Sequence, residues 1–174
     1  MQILTLSGSA RAGSTNTALL CALATAAPED MTLTPCPSLT ALLIFNPDLE
    51  AQTPPVVEAF AAQIAAADGL IIASPEYVRS LPGGLKNAVD WLVSRPEIIE
   101  KPIALAHASH RGDDMLDTLR AVLTTVSQRF APDIFLRLPL TGQTPDQIAP
   151  HLAQPAQMQT MRAYLMQLRG FIRS

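Results

Sequence analysis

Apolar positions fall along the chain in two rhythms. Short, nearly unbroken apolar runs occupy residues 2–6 (QILTL), 69–74 (GLIIAS), 102–108 (PIALAHA) and 134–138 (IFLRL). Runs of that length and continuity fit strands buried on both faces. Residues 31–36 (MTLTPC) form a weaker strand candidate, because Pro35 and Pro37 interrupt it. Longer stretches with helical spacing lie between the runs. Residues 15–27 are rich in Ala and Leu, lack Gly and Pro, and stop before Pro28. Residues 56–67 open behind Pro54-Pro55, where proline suits a first turn. Residues 85–94 end at Arg95-Pro96. Residues 113–130 place Met115, Leu119, Val122, Leu123 and Val126 on one face, and residues 157–172 form a last amphipathic helix. Residues 41–45 are apolar but too short to assign to a strand or a buried loop. Residues 141–155 are proline-rich and read as surface loop.

Strand and helix alternate five times, which predicts an α/β fold. The expected architecture is a doubly wound, five-stranded parallel sheet with helices on both faces and right-handed crossovers. One domain spanning 1–174 accounts for the length. Ligands on such sheets bind at the carboxyl ends of the strands, near the point where strand order reverses. The loops after the first, third and fourth strands are therefore the places to look for function.

Composition narrows the classes. Hydrophobic residues make up 48% and charged residues 16%, with a net charge of −3. Such a chain is too apolar for disorder. It has no basic excess with which to neutralise nucleic-acid phosphates. Only Lys86 and Lys101 are lysines, so a polybasic membrane patch is not expected. No apolar run approaches a membrane span. The first residues carry no basic region ahead of their apolar stretch, which makes a poor secretory signal, so a cytoplasmic location is expected. Cys21 and Cys36 make neither a disulfide framework nor a metal site, and read as two buried apolar thiols.

Four of the eight glycines sit in two of the candidate loops: Gly8, Gly13, Gly83 and Gly84. The first loop reads Ser7-Gly8-Ser9-Ala10-Arg11-Ala12-Gly13-Ser14-Thr15-Asn16 and runs straight into a helix. Backbone amides at a helix start favour a phosphate. The hydroxyls of Ser9, Ser14 and Thr15 add donors, and Arg11 adds a forked cation. An ordinary capped turn would also use Ser-Thr-Asn here. The loop is not a Walker P-loop, since no Gly-Lys-Ser/Thr follows, and it lacks the Gly-x-Gly-x-x-Gly dinucleotide fingerprint. It contains no cysteine, which excludes a thiol nucleophile there. A mononucleotide phosphate remains. The loop after the third strand reads Pro75-Glu76-Tyr77-Val78-Arg79-Ser80-Leu81-Pro82-Gly83-Gly84, braced by prolines and offering the aromatic face of Tyr77. Trp91, in the helix that follows, reads as core, as does His107 within the fourth strand. His110 lies in the fourth-strand loop, and His151 reads as surface.

Two motifs in these loops, Gly-Ser-x-Arg-x-Gly-Ser-x-Asn and Pro-Glu-Tyr-x-x-Ser-x-Pro-Gly-x-Leu-Lys-Asn-x-x-Asp-Trp, resemble the NAD(P)H-dependent FMN reductases. The family includes flavin, quinone, azo-dye and chromate reductases on a flavodoxin-like fold. The likeness covers roughly residues 2–130. It implies FMN as cofactor and NAD(P)H as co-substrate. It carries Ser9, Arg11, Ser14 and Asn16, with Thr15 beside them, to the FMN phosphate. Pro75, Glu76, Tyr77, Val78 and Arg79 fall along the isoalloxazine ring, with Ser109 and His110 on the fourth-strand side. The chain departs from the family pattern at Val78 and Arg79, where the family commonly has Asn and a small residue. It departs again at 108–114, where the family usually has a glycine-rich loop.

The reaction implied is hydride transfer from NAD(P)H to FMN, then electron transfer to a small-molecule acceptor such as a flavin, quinone, azo compound or metal oxyanion. It needs no acid–base catalytic residue and no metal. Family analogy implies a homodimer or homotetramer. Two other classes stay open at this level: a flavodoxin-type electron carrier, and a flavin-free binding module on the same fold.

Overall fold

The computed structural model describes residues 1–174, apart from the side chain of Pro145. Five strands form one parallel sheet: β1 (Gln2–Ser7), β2 (Thr32–Pro35), β3 (Gly69–Ala73), β4 (Ile103–His107) and β5 (Phe130–Arg137). Their order is β2-β1-β3-β4-β5, so the order reverses between β1 and β3. The helices are α1 (Thr15–Ala26), α2 (Pro55–Ala66), α3 (Gly83–Asp90), α4 (Pro96–Ile99), α5 (Asp113–Val126), α6 (Pro145–Leu152) and α7 (Pro155–Arg173). This is the expected doubly wound flavodoxin-like arrangement.

Strand periodicity sorts the core into two layers. Ile3, Ile71, Ala104, Ala106 and Leu136 face α1, α6 and α7, packing against Leu19, Leu23, Leu152 and Leu165. Their neighbours Leu4, Leu6, Leu70, Ile72 and Leu105 face the other way, against Phe60, Ile64, Leu85, Ile98, Met115 and Leu119. Every residue of β3 and β4 is buried, which explains why those strands carry no polar alternation.

Several expectations are corrected. Helix α5 ends at Val126 rather than at 130. Buried Ser127 stops it by donating to Lys101 O at 2.7 Å and accepting from Arg129 N at 3.0 Å. Strand β5 then begins at Phe130, four residues before the apolar run, and a bulge between Ile103 and Leu105 accommodates Pro132. Residues 141–155 are not all loop, because α6 lies within them. Thr144 N donates to Gln147 Oε1 at 3.0 Å, and Ile148 and Leu152, four residues apart, are buried against α1 and α7. Helix α3 starts at Gly83 and closes at Asp90, with turns beyond it, and the short helix α4 after Arg95 was not expected.

Segment 41–45 is neither a strand nor a buried loop. Trp91 Nε1 and Asn87 Nδ2 both donate to Leu43 O, at 2.7 and 2.9 Å, and Phe45 N donates to Asn87 Oδ1 at 2.7 Å. Leu43 and Ile44 themselves are exposed. Trp91 is core, as expected. The cysteines do not fit the expectation: Cys21 is exposed and Cys36 only half-buried, with burial pushing the Cys36 thiol up to about 11. Among the described residues, no helix is long and apolar enough to cross a membrane.

Candidate flavin site at the strand-order reversal

The carboxyl ends of β1 and β3 open onto a cavity of about 220 Å³. Ser7, Gly8, Ser9 and Ala10 line one side, Tyr77 and Pro82 to Leu85 another, and Ser38, Leu39 and Thr40 a third. Of the residues singled out in the sequence, Ser9 and Tyr77 line it, together with Gly8, Gly83 and Gly84. The wall from residues 38–40 was missed. A Ser-Leu-Thr turn after a weak strand carries no distinctive signal, and only the sheet order brings it beside the β1 loop.

Gly8 continues the sheet, its N–H donating to Ala73 O at 2.8 Å. A Cβ on Gly8 would stand 2.6 Å from Ser74 Oγ, so this glycine permits close packing of the β1 and β3 ends. At Gly83 and Gly84 a Cβ would meet nothing within 4 Å, so those positions leave room at the cavity.

Short hydrogen bonds shape the β1–α1 loop. Ser7 Oγ and Thr17 Oγ1 lie 2.7 Å apart, Ser9 Oγ accepts from Arg11 N at 3.2 Å, and Ser14 caps α1 by accepting from Thr17 N at 3.3 Å. Arg11 is exposed, and among the described residues its side chain has no ion-pair partner. Thr15 is half-buried at the first turn. Asn16 is buried, and its Oδ1 accepts from Ala108 N at 3.1 Å, which ties α1 to the end of β4.

In the β3 loop, Pro75 and Glu76 are half-buried, and Glu76 Oε2 accepts from Met115 N at 3.2 Å, supporting the first turn of α5. Tyr77 and Ser80 exchange backbone hydrogen bonds of 2.9 and 3.0 Å around a two-residue tip. The tip residues, Val78 and Arg79, have φ of 51° and 59°. Val78 is 98% exposed. Arg79 Nε donates to Asp114 Oδ2 at 2.6 Å, so the tip is tethered to α5. This hydrogen bond and the opposite charge hold the Asp114 carboxyl below its ordinary range.

The β4 loop stands apart from the cavity. Ser109 Oγ accepts from Arg111 N at 3.0 Å and from Thr141 Oγ1 at 3.3 Å, and His110 is exposed. His107 is buried, as expected, yet both its ring nitrogens meet backbone carbonyls. His151 is half-buried on α6. Among the described residues no cluster of three or more His, Cys, Asp or Glu side chains could hold a metal.

The residues present fit a phosphorylated planar cofactor. Backbone amides and hydroxyls stand at the start of α1 with the exposed guanidinium of Arg11 nearby. A glycine-lined cavity adjoins them, with an exposed aromatic ring at its mouth. A larger cavity, about 530 Å³, lies behind the loop between α1 and α6, walled by apolar groups such as Ala18, Leu152 and Met158. It offers few polar partners to fix a ligand.

Comparison with known proteins identifies the family. Residues 1–138 match the family described as NADPH-dependent FMN reductase. A quinone reductase of Escherichia coli strain K12 is 40% identical over 113 residues, covering 63% of this chain and 60% of that protein. A 2-hydroxy-1,4-benzoquinone reductase of a Burkholderia species is 45% identical over 96 residues, covering 55% of this chain and 51% of that protein. The chain thus spans about three fifths or less of the length of these curated relatives. The solved flavoenzyme NAD(P)H:(acceptor) oxidoreductase of Paracoccus denitrificans superposes with a TM-score of 0.72 at 21% identity, over 99% of this chain and 95% of that one, a likeness of fold.

Proposed function

The chain belongs to the NADPH-dependent FMN reductase family, and from that membership we propose that residues 1–174 act as one FMN-binding domain that passes reducing equivalents from NAD(P)H to a quinone-type acceptor. The observation that carries this reading is the convergence of the β1 and β3 loops on one cavity at the strand-order reversal. Bound FMN supplies the two-electron chemistry between a reduced nicotinamide and the acceptor.

The chain's own residues bind and orient. Backbone amides at the start of α1 and the hydroxyls of Ser9, Ser14 and Thr15 hold the phosphate, with Arg11 adding a charge-assisted fork. Asn16 contributes through its Nδ2, because its Oδ1 is committed to Ala108. Pro75 stiffens the β3 loop beside the ring, Tyr77 lends an aromatic wall, and Glu76 fixes the loop to α5. Val78 and Arg79 form the rim of the site, and Ser109 and His110 stand on the nicotinamide side. No side chain is required as nucleophile or base. The protein works in the cytoplasm as a homodimer or homotetramer, with exposed Leu43 and Ile44, held out by Trp91, suited to a subunit contact.

Quinone-dependent oxidation of NADH or NADPH by the FMN-loaded protein tests the assignment. Turnover that needs both FMN and the quinone is the expected result. Tight FMN binding without nicotinamide-driven turnover would instead mark an electron carrier.

A further inference from the structure

We propose that His107 is a positioning residue that locks the β3 and β4 loops together, its doubly protonated ring donating to Ser74 O and Arg111 O at once. His107 ends β4 and is 1% exposed. Its Nδ1 lies 3.0 Å from Ser74 O, immediately before the Pro75-Glu76-Tyr77 segment. Its Nε2 lies 2.6 Å from Arg111 O, in the loop that leads into α5. Carbonyl oxygens only accept, and a neutral imidazole has a single N–H. With one proton on the ring, one nitrogen lone pair would face a carbonyl lone pair in a buried site, an arrangement that costs free energy. With two protons, both contacts become charge-assisted hydrogen bonds.

The loop is shaped around the ring. Gly112 follows Arg111 with φ 99°, and a Cβ there would stand 2.9 Å from His107 Nε2. No other residue type lets the backbone both turn left-handed and close on the imidazole. The charges around the ring are accounted for. On α5, Asp113 is held below its ordinary range by its hydrogen bond from Arg137, with the charge of His107 as a smaller contributor. From β5, Arg137 is the register partner of His107 and pairs with Asp113. From the β3 loop, Glu76 approaches the Gly112 position and supports Met115 N.

The locked geometry needs the second proton, so it is held at low pH and released at high pH. The link to flavin affinity rests on the proposed function, whereas the lock itself does not. Nitrogen-15 NMR of the histidine rings in the flavin-free chain reads the lock directly. Two slowly exchanging ring N–H signals from His107 at about pH 6 are expected. A single-tautomer neutral ring at that pH would overturn the proposal. FMN titration from about pH 6 to about pH 9 reads its consequence: affinity should fall about tenfold, the loss of one charged hydrogen bond. That fall should vanish in His107→Gln and persist in His151→Gln. A fall that persists in His107→Gln, or that vanishes in His151→Gln, would overturn it. Should His107→Gln fail to fold, the NMR result decides alone. Wild-type protein that binds no FMN at any pH would sink the functional reading and leave the NMR test of the lock standing.

Discussion

Val78 and Arg79 show what a single residue can cost. A two-residue hairpin tip with positive φ at both positions favours Asn-Gly, and a β-branched residue there is strained. Val78→Asn should therefore raise stability by about 1 kcal/mol, read as a higher urea midpoint with an unchanged slope. A midpoint at or below wild type would show that the tip carries no strain. Arg11 stands out in the sequence as a candidate phosphate ligand because it lies in a hydroxyl-rich loop before a helix. Arg11→Ala should weaken FMN binding about tenfold or more while sparing riboflavin, which has no phosphate. Equal losses for both flavins, by fluorescence titration, would remove the phosphate contact. Arg79 was only half legible. Its place beside the ring motif was visible, but its pairing with Asp114 joins residues 35 apart, which no local pattern reveals. His107 was read correctly as buried, yet the two carbonyls it faces belong to separate loops. The cysteines were misread because apolar neighbours in sequence do not fix which side of a helix or edge strand meets solvent.

Among the elements, long periodic segments were the readable ones. The unbroken apolar runs of β3 and β4 announced central strands, and the α5 stripe named its buried face. Met115, Leu119 and Leu123 are each at most 1% exposed. Leu119→Ala should cost about 2–5 kcal/mol through the cavity it leaves, measured by denaturant unfolding. A loss under about 1 kcal/mol would mean that α5 is loosely packed. Boundaries were less readable, for identifiable reasons. Ser127 ends α5 through long-range contacts with the chain near Lys101. Pro132 hid the first half of β5 because the bulge that admits it depends on the partner strand. Helix α6 was hidden by its prolines, although Thr144, Gln147, Ile148 and Leu152 gave a start signal and a buried face.

Across the whole molecule, the strand–helix alternation and the two loop motifs were enough to single out the reversal of strand order as the candidate site. The cavity between β1 and β3 stands at that place. Sequence could not supply the third wall, at Ser38 to Thr40, because a parallel sheet brings the β2 end beside the β1 loop only after folding. The motif residues Asn87 and Trp91 likewise serve the scaffold, strapping segment 41–45 across α3 rather than meeting the cavity. On the proposed function, this cavity holds an FMN which a reduced nicotinamide can reach. The most direct test is the visible spectrum of the FMN-loaded protein under anaerobic conditions, recorded before and after NADH or NADPH is added. The expected result is a flavin spectrum that bleaches on addition and returns when a quinone is supplied. A protein that takes up no flavin, or whose flavin spectrum is unchanged by either nicotinamide, would contradict it.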